Sequence, residues 1–194
     1  MPALSYACKL WGNMLQSPKE VVCLKIMGID PGIATIGFAV LDYSDNRFSL
    51  HKCGVISTPA HTSLSSRLSQ IYSDVSELLQ LFQPDAVSIE ELFFYNNITT
   101  GIPVAHGRGV ILLACEHAGI PIYEYTPMQV KQSVTGYGKA EKKQVMEMVR
   151  RLCSLSAVPK PDDAADAVAL AICHARSSTS LLLNKGVPDT CSTI

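Results

Sequence analysis

Residues 21–29 (VVCLKIMGI) form an apolar run broken by one lysine and ending on Asp30-Pro31-Gly32. Side chains alternate to both sides of a pleated strand, so a run apolar on both sides is a strand buried on both faces. Pro31 and Gly32 then enforce a turn, and Ile36–Leu41 (IGFAVL) resumes an apolar strand. Such a pair commits the chain to a sheet covered by helices. It also leaves one carboxylate, Asp30, at the end of a buried strand.

The rest of the chain fits that commitment. Phe48–Ile56 reads as a third strand after the polar turn Ser44-Asp45-Asn46, which predicts an antiparallel meander. Leu64, Leu68, Ile71, Val75, Leu78, Leu79 and Phe82 recur at helical spacing and predict a helix over 63–82, stopped by Pro84. Ala86–Glu90 is a short apolar strand closing on two carboxylates. A helix over about 102–118 follows, with Pro103 expected in its first turn and Gly119 ending it. Ile120–Tyr125 is a fifth strand. Residues 127–134 and 140–153 read as helices, and Pro159 and Pro161 precede a last helix over about 163–176. The expected fold class is α/β, a mixed sheet of five strands flanked by helices.

The chain has 194 residues, 47% of them hydrophobic, which suits one ordinary core. Residues 21–176 are expected to form the single domain, with 1–20 a disordered extension and 177–194 a flexible tail. No apolar run approaches the ~18–20 residues needed to cross a bilayer, and Lys9 interrupts the only place for a signal-peptide core. A cytoplasmic protein is expected. A start of translation near Val21 or Val22 would explain the extension, and mass spectrometry finding residues 1–20 in the native protein would reject it. The seven cysteines are scattered without C-x-x-C, so neither a disulfide framework nor zinc is favoured, although His51-x-Cys53 and Cys115-x-His117 are spaced like ligand pairs.

The net charge of −1 argues against a polyanionic partner until its distribution is considered. Residues 131–160 hold Lys131, Lys139, Lys142, Lys143, Arg150, Arg151 and Lys160 against only Glu141 and Glu147. The acids therefore lie elsewhere. A basic segment beside an acidic pocket suits a metal-dependent enzyme acting on a polyanion. A solvated helix face accounts for the charge equally well.

Four acids stand where chemistry is possible. Asp30 and Glu90 end buried strands, and Asp163 and Asp166 lie three apart at the start of an apolar helix, on one face. Taken singly, each has a plain structural explanation: a turn-initiating Asp, a strand-end Glu, an acidic helix start. Together, at one edge of a sheet, carboxylates repel one another and invite hard divalent cations. Two such ions support phosphodiester hydrolysis. Glu91 competes with Glu90, but strand alternation lets only one face the site. Asp162 competes with Asp163, since it could cap the helix or pair with Asp166 four residues on.

MGIDPG-x3-IGFAV, SIEELFFYNN, EYTPMQVKQSVTGYGKAEKKQV and DAADAVALAI occur in that order. This series resembles the successive motifs of the RuvC-type Holliday-junction resolvases, over about residues 22–176. The resemblance implies a ribonuclease H-like fold and a homodimer. It implies two magnesium ions per active site, with manganese able to substitute, and paired symmetric nicks in four-way junction DNA. It also implies partnership with the RuvA–RuvB branch-migration complex. By motif match Asp30, Glu90, Asp163 and Asp166 are the catalytic metal ligands. Phe93 matches an aromatic that meets bases near the junction centre, as an unpaired base offers a π-face for stacking. Lys131 and Lys142 match basic residues near the scissile phosphate, while Lys139, Lys143, Arg150 and Arg151 are general backbone contacts or surface. The family often has Gln where Glu91 stands here.

Three other readings stay open. The first strand–turn–strand also resembles the phosphate loop of actin-like ATPases and kinases, but the chain is short for two lobes and lacks a second Gly-rich loop. A non-catalytic junction-binding module would be expected to lose an acid, and none is missing. A nuclease of the same fold with another substrate is the fourth possibility.

Overall fold

The computed structural model describes residues 23–92 and 98–184, with side chains described for 23–92 and 101–178. The elements run β1 (Leu24–Asp30), β2 (Thr35–Ser44), β3 (Arg47–Ser57), α1 (Leu64–Phe82), β4 (Ala86–Glu90), α2 (Ile98–His117), β5 (Ile122–Tyr125), α3 (Pro127–Thr135), α4 (Lys142–Leu152) and α5 (Asp162–Asn184). They build a five-stranded sheet in the order β3-β2-β1-β4-β5. The β1–β2 and β2–β3 pairs are antiparallel, and β1–β4 and β4–β5 are parallel. The mixed sheet flanked by helices is the one the sequence predicts.

Local chemistry explains the joints. Asp45 and Asn46 both take positive φ, the conformation a two-residue hairpin turn requires. Ser63 caps α1 by accepting from the Ser66 amide, and Thr126 and Gln129 form a reciprocal capping box on α3.

Strand alternation splits the core in two. Met27 and Ile29 of β1, Ile36, Phe38 and Val40 of β2, and Val87 and Ile89 of β4 pack against α1 and α2. Ile26, Ala39 and Leu41 face the other way, toward α3, α4 and α5. The alternate positions in β1 and β4 therefore send Asp30, Ser88 and Glu90 to the α5 face.

α5 sits very close to that face. A Cβ at Gly28 would lie 2.0 Å from the Ala167 carbonyl oxygen, and one at Gly37 would lie 2.0 Å from the Asp163 carbonyl oxygen. Only glycine admits backbone contact of this kind. The facing side of the helix is small as well, with Ala164, Ala167 and Ala171 buried. Further along, buried His174 stacks on Tyr123 with ring centroids 4.2 Å apart, and its Nδ1 lies 2.8 Å from the Tyr125 hydroxyl. Burial lowers its pKa to about 4, so it is neutral near pH 7.

Several boundaries differ from expectation, β2 running on to Ser44 and α4 spanning Lys142–Leu152 among them. α2 begins at Ile98, so Pro103 lies inside the helix and not in its first turn. β5 begins at Ile122, because the Ile120 amide is used to close α2 on the Cys115 carbonyl. α5 does not stop near 176 but continues to Asn184, so residues 177–184 are helical where a tail was expected. The hydroxyls of Ser177 and Ser178 bond the carbonyls of Cys173 and Ala175 and are accommodated within the helix. Among the described residues, no helix is long and apolar enough to cross a membrane.

Candidate nuclease site

Asp30 and Glu90 end neighbouring parallel strands, one step beyond the paired Ile29 and Ile89. Asp30 is paired across the sheet with Gly37, and Gly37 is the residue on which the Asp163 peptide rests. The start of α5 is therefore seated beside Asp30 by backbone contact. One turn on, Asp166 joins Asp30, Glu90, Lys131 and Lys142 around a cavity of about 210 Å³, with a wall that includes Val130, Val145 and Leu170.

The electrostatics register this convergence. Burial, and then the charges of Glu90, Asp166 and Asp163, push the Asp30 carboxyl up to about 7. Glu90 is also raised, first by burial and then by Asp166, with Lys131 and Lys142 offsetting part of the effect. Lys142 donates to Asp166 Oδ2 at 3.0 Å and reaches Asp162 Oδ2 at 3.4 Å. Burial pulls its pKa down, but the hydrogen bonds and charges of Asp166 and Asp162 outweigh that, and it stays above the ordinary lysine value. As the side chains lie, no three His, Cys, Asp or Glu side chains among the described residues stand close enough to hold an ion between them. The cation nearest Asp166 is the Lys142 ammonium.

The two ambiguities in the sequence separate here. Glu90 lines the cavity, whereas Glu91 is exposed. Asp163 is half-buried and acts on Asp30, whereas Asp162 is exposed and engages Lys142.

The basic segment does not act as one stripe. Lys131 and Lys142 reach the cavity. Lys139 borders a separate groove beside Met128 and Tyr137, and Lys143 lies outside the acidic cavity beside Glu147 and Arg151. Arg150 and Arg151 both bond Glu147, and Arg150 also donates to the Leu155 carbonyl. Phe93 lies outside the described residues.

One residue beside the acids escaped the sequence reading. Arg108 of α2 donates from Nε to the Glu90 carbonyl at 3.3 Å and pairs with Glu124 of β5. Its partners are 16 and 18 residues away, so no local pattern could reveal it.

The chain matches the family model described as crossover junction endodeoxyribonuclease RuvC over residues 26–174. It is 55% identical over 152 residues to the crossover junction endodeoxyribonuclease RuvC of Ruminiclostridium cellulolyticum, covering 78% of this chain and 92% of that protein. The corresponding protein of Clostridioides difficile is 51% identical over 153 residues, covering 79% and 90%. Among solved structures, Thermus thermophilus RuvC superposes with a TM-score of 0.75 at 36% identity, covering 81% of this chain and 96% of that one. The T. thermophilus protein in complex with a Holliday-junction substrate gives 0.74 at 35% identity, with the same coverage. With a family match across both the strand-end acids and the acidic start of α5, and relatives sharing half of their residues with it, this chain belongs to the crossover junction endodeoxyribonuclease RuvC family.

Proposed function

We propose that the protein resolves four-way DNA junctions by paired symmetric nicks, using Asp30, Glu90, Asp163 and Asp166 to hold two magnesium ions, for which manganese can substitute. The observation that carries this reading is the meeting of strand ends β1 and β4 with the start of α5 around one cavity, where burial, and then its acidic neighbours, push Asp30 up to about 7. Carboxylates held in mutual repulsion are relieved by hard cations, and an all-oxygen donor set suits magnesium. Bound there, such ions would supply an activated water and stabilise the leaving oxygen.

The protein's own groups then have distinct tasks. The acids fix the cations against the sheet edge. Lys142 exchanges Asp166 for a backbone phosphate when substrate enters, and Lys131 presents a second positive charge on the same wall. Lys139 and Lys143 contact the DNA backbone further out, with Arg150 contributing less because its guanidinium is shared with Glu147. Phe93 stacks on a base at the junction centre. Two cuts related by symmetry call for two active sites, hence a homodimer. Partnership with RuvA–RuvB and a cytoplasmic location complete the reading.

The test is cleavage of a synthetic four-way junction with magnesium. Wild type cuts at symmetric positions, and Asp30→Asn loses cleavage while still binding the junction. Failure to cut any junction with either magnesium or manganese overturns the proposal.

A further inference from the structure

We propose that Gly107 and Arg108 of α2 are positioning residues that set the spacing of Asp30 and Glu90; this rests on the nuclease reading of the site. The Arg108 side chain is 15% exposed and holds two strands at once. It donates to the main-chain carbonyl of Glu90 at the end of β4 and pairs with Glu124 of β5. A guanidinium presents its donors in fixed directions, so it braces two groups where a flexible ammonium holds one. Gly107 makes the second contact. A Cβ there would lie 2.5 Å from the Gly32 carbonyl oxygen, so the α2 backbone rests on the turn that follows Asp30. Adjacent residues of one helix therefore touch the end of β4 and the turn that follows β1. Neither is placed on a carboxyl oxygen, so the effect reaches the acids through the backbone. The outer support of a metal site commonly governs ion affinity in this way.

Manganese binding by calorimetry on the full chain, with junction affinity measured in EDTA, tests the proposal. Arg108→Gln and Gly107→Ala are expected to weaken manganese binding roughly tenfold and to lower kcat, with junction affinity in EDTA within about twofold of wild type. Arg108→Lys should recover part of the loss, and Glu124→Gln should show the same defect more mildly. Gly107→Ala is the sharper variant, because alanine favours a helix over glycine and the loss cannot come from a weakened α2. It also carries the test if Arg108→Gln fails to fold. Wild-type manganese affinity in Gly107→Ala and Glu124→Gln overturns the positioning role while leaving the nuclease reading intact. So does an equal fall in junction affinity without metal. A wild-type protein that neither binds manganese nor cuts a junction overturns both.

Discussion

The two faces of the sheet are built on opposite terms. The face under α1 and α2 is filled by bulky side chains, with Ile71, Val75, Leu79 and Ile111 buried against Ile29, Val87 and Ile89. Where α5 crosses the other face, the contact is between glycines of the sheet and alanines of the helix, with peptide resting on peptide at Gly28 and Gly37. Side-chain interlocking tolerates small changes in volume, because neighbouring rotamers relax. Backbone contact has no such slack. The start of α5, with Asp163 and Asp166, is seated by that unyielding face, while α2 reaches the end of β4 and the turn after β1 from the other side through Arg108 and Gly107.

The contrast breaks most sharply at Gly28. Gly28→Val is expected to lift α5 off the sheet and cost more than about 4 kcal/mol, leaving little cooperative thermal transition by circular dichroism. Next is His174, on the same face. It titrates at about 4 in the fold against 6.5 ordinarily, so the unfolded chain binds the extra proton between those values. Stability is full above about pH 6.5 and falls on acidification toward pH 4, by about 3 kcal/mol. His174→Gln should remove that slope in chemical denaturation at a series of pH values.

Asp30 has the opposite sign. Its folded pKa of about 7 lies above the ordinary 3.8, so the fold holds the extra proton and stability falls as pH rises from about 4 to 7. In EDTA at pH 7.5, Asp30→Asn should therefore be more stable than wild type, with the gain gone below pH 4. Manganese should raise the melting temperature of wild type and not of the variant. The two trends oppose each other between pH 4 and 6.5, so wild type should look flatter there than either variant. The smallest effect is expected on the soft face, where Ile71→Val costs about 1 kcal/mol and leaves junction cleavage unchanged.

Much of this was legible in the chain. The apolar runs 24–30 and 86–90 each end on the carboxylate that lines the cavity, and the helical spacing of α1 matches its limits to within a residue. What stayed hidden was long-range. Asp162 and Asp163 are adjacent acids at a helix start, and only the seat of the Asp163 peptide on Gly37, some 126 residues earlier in sequence, separates them. Arg108 reads as a polar residue on an apolar helix until β4 and β5 are folded beside it. Residues 177–194 carry no clear pattern in sequence, yet α5 runs on through 177–184, and the hydroxyls of Ser177 and Ser178 are accommodated by the helix's own carbonyls. The charge of the basic segment does not say which of its members reach the acids: Lys131 and Lys142 line the cavity, whereas Arg150 and Arg151 pair with Glu147.

The seat of α5 on two glycines has one more consequence. A side chain that aims a functional group samples rotamers, and its scatter grows with temperature. A peptide lying on a peptide has none to sample. The height of Asp163 above the sheet is thus a fixed dimension, set by van der Waals radii, and only the last torsions of the carboxylate remain to be adjusted. The matched cuts proposed for this protein call for a gauge whose calibration does not drift.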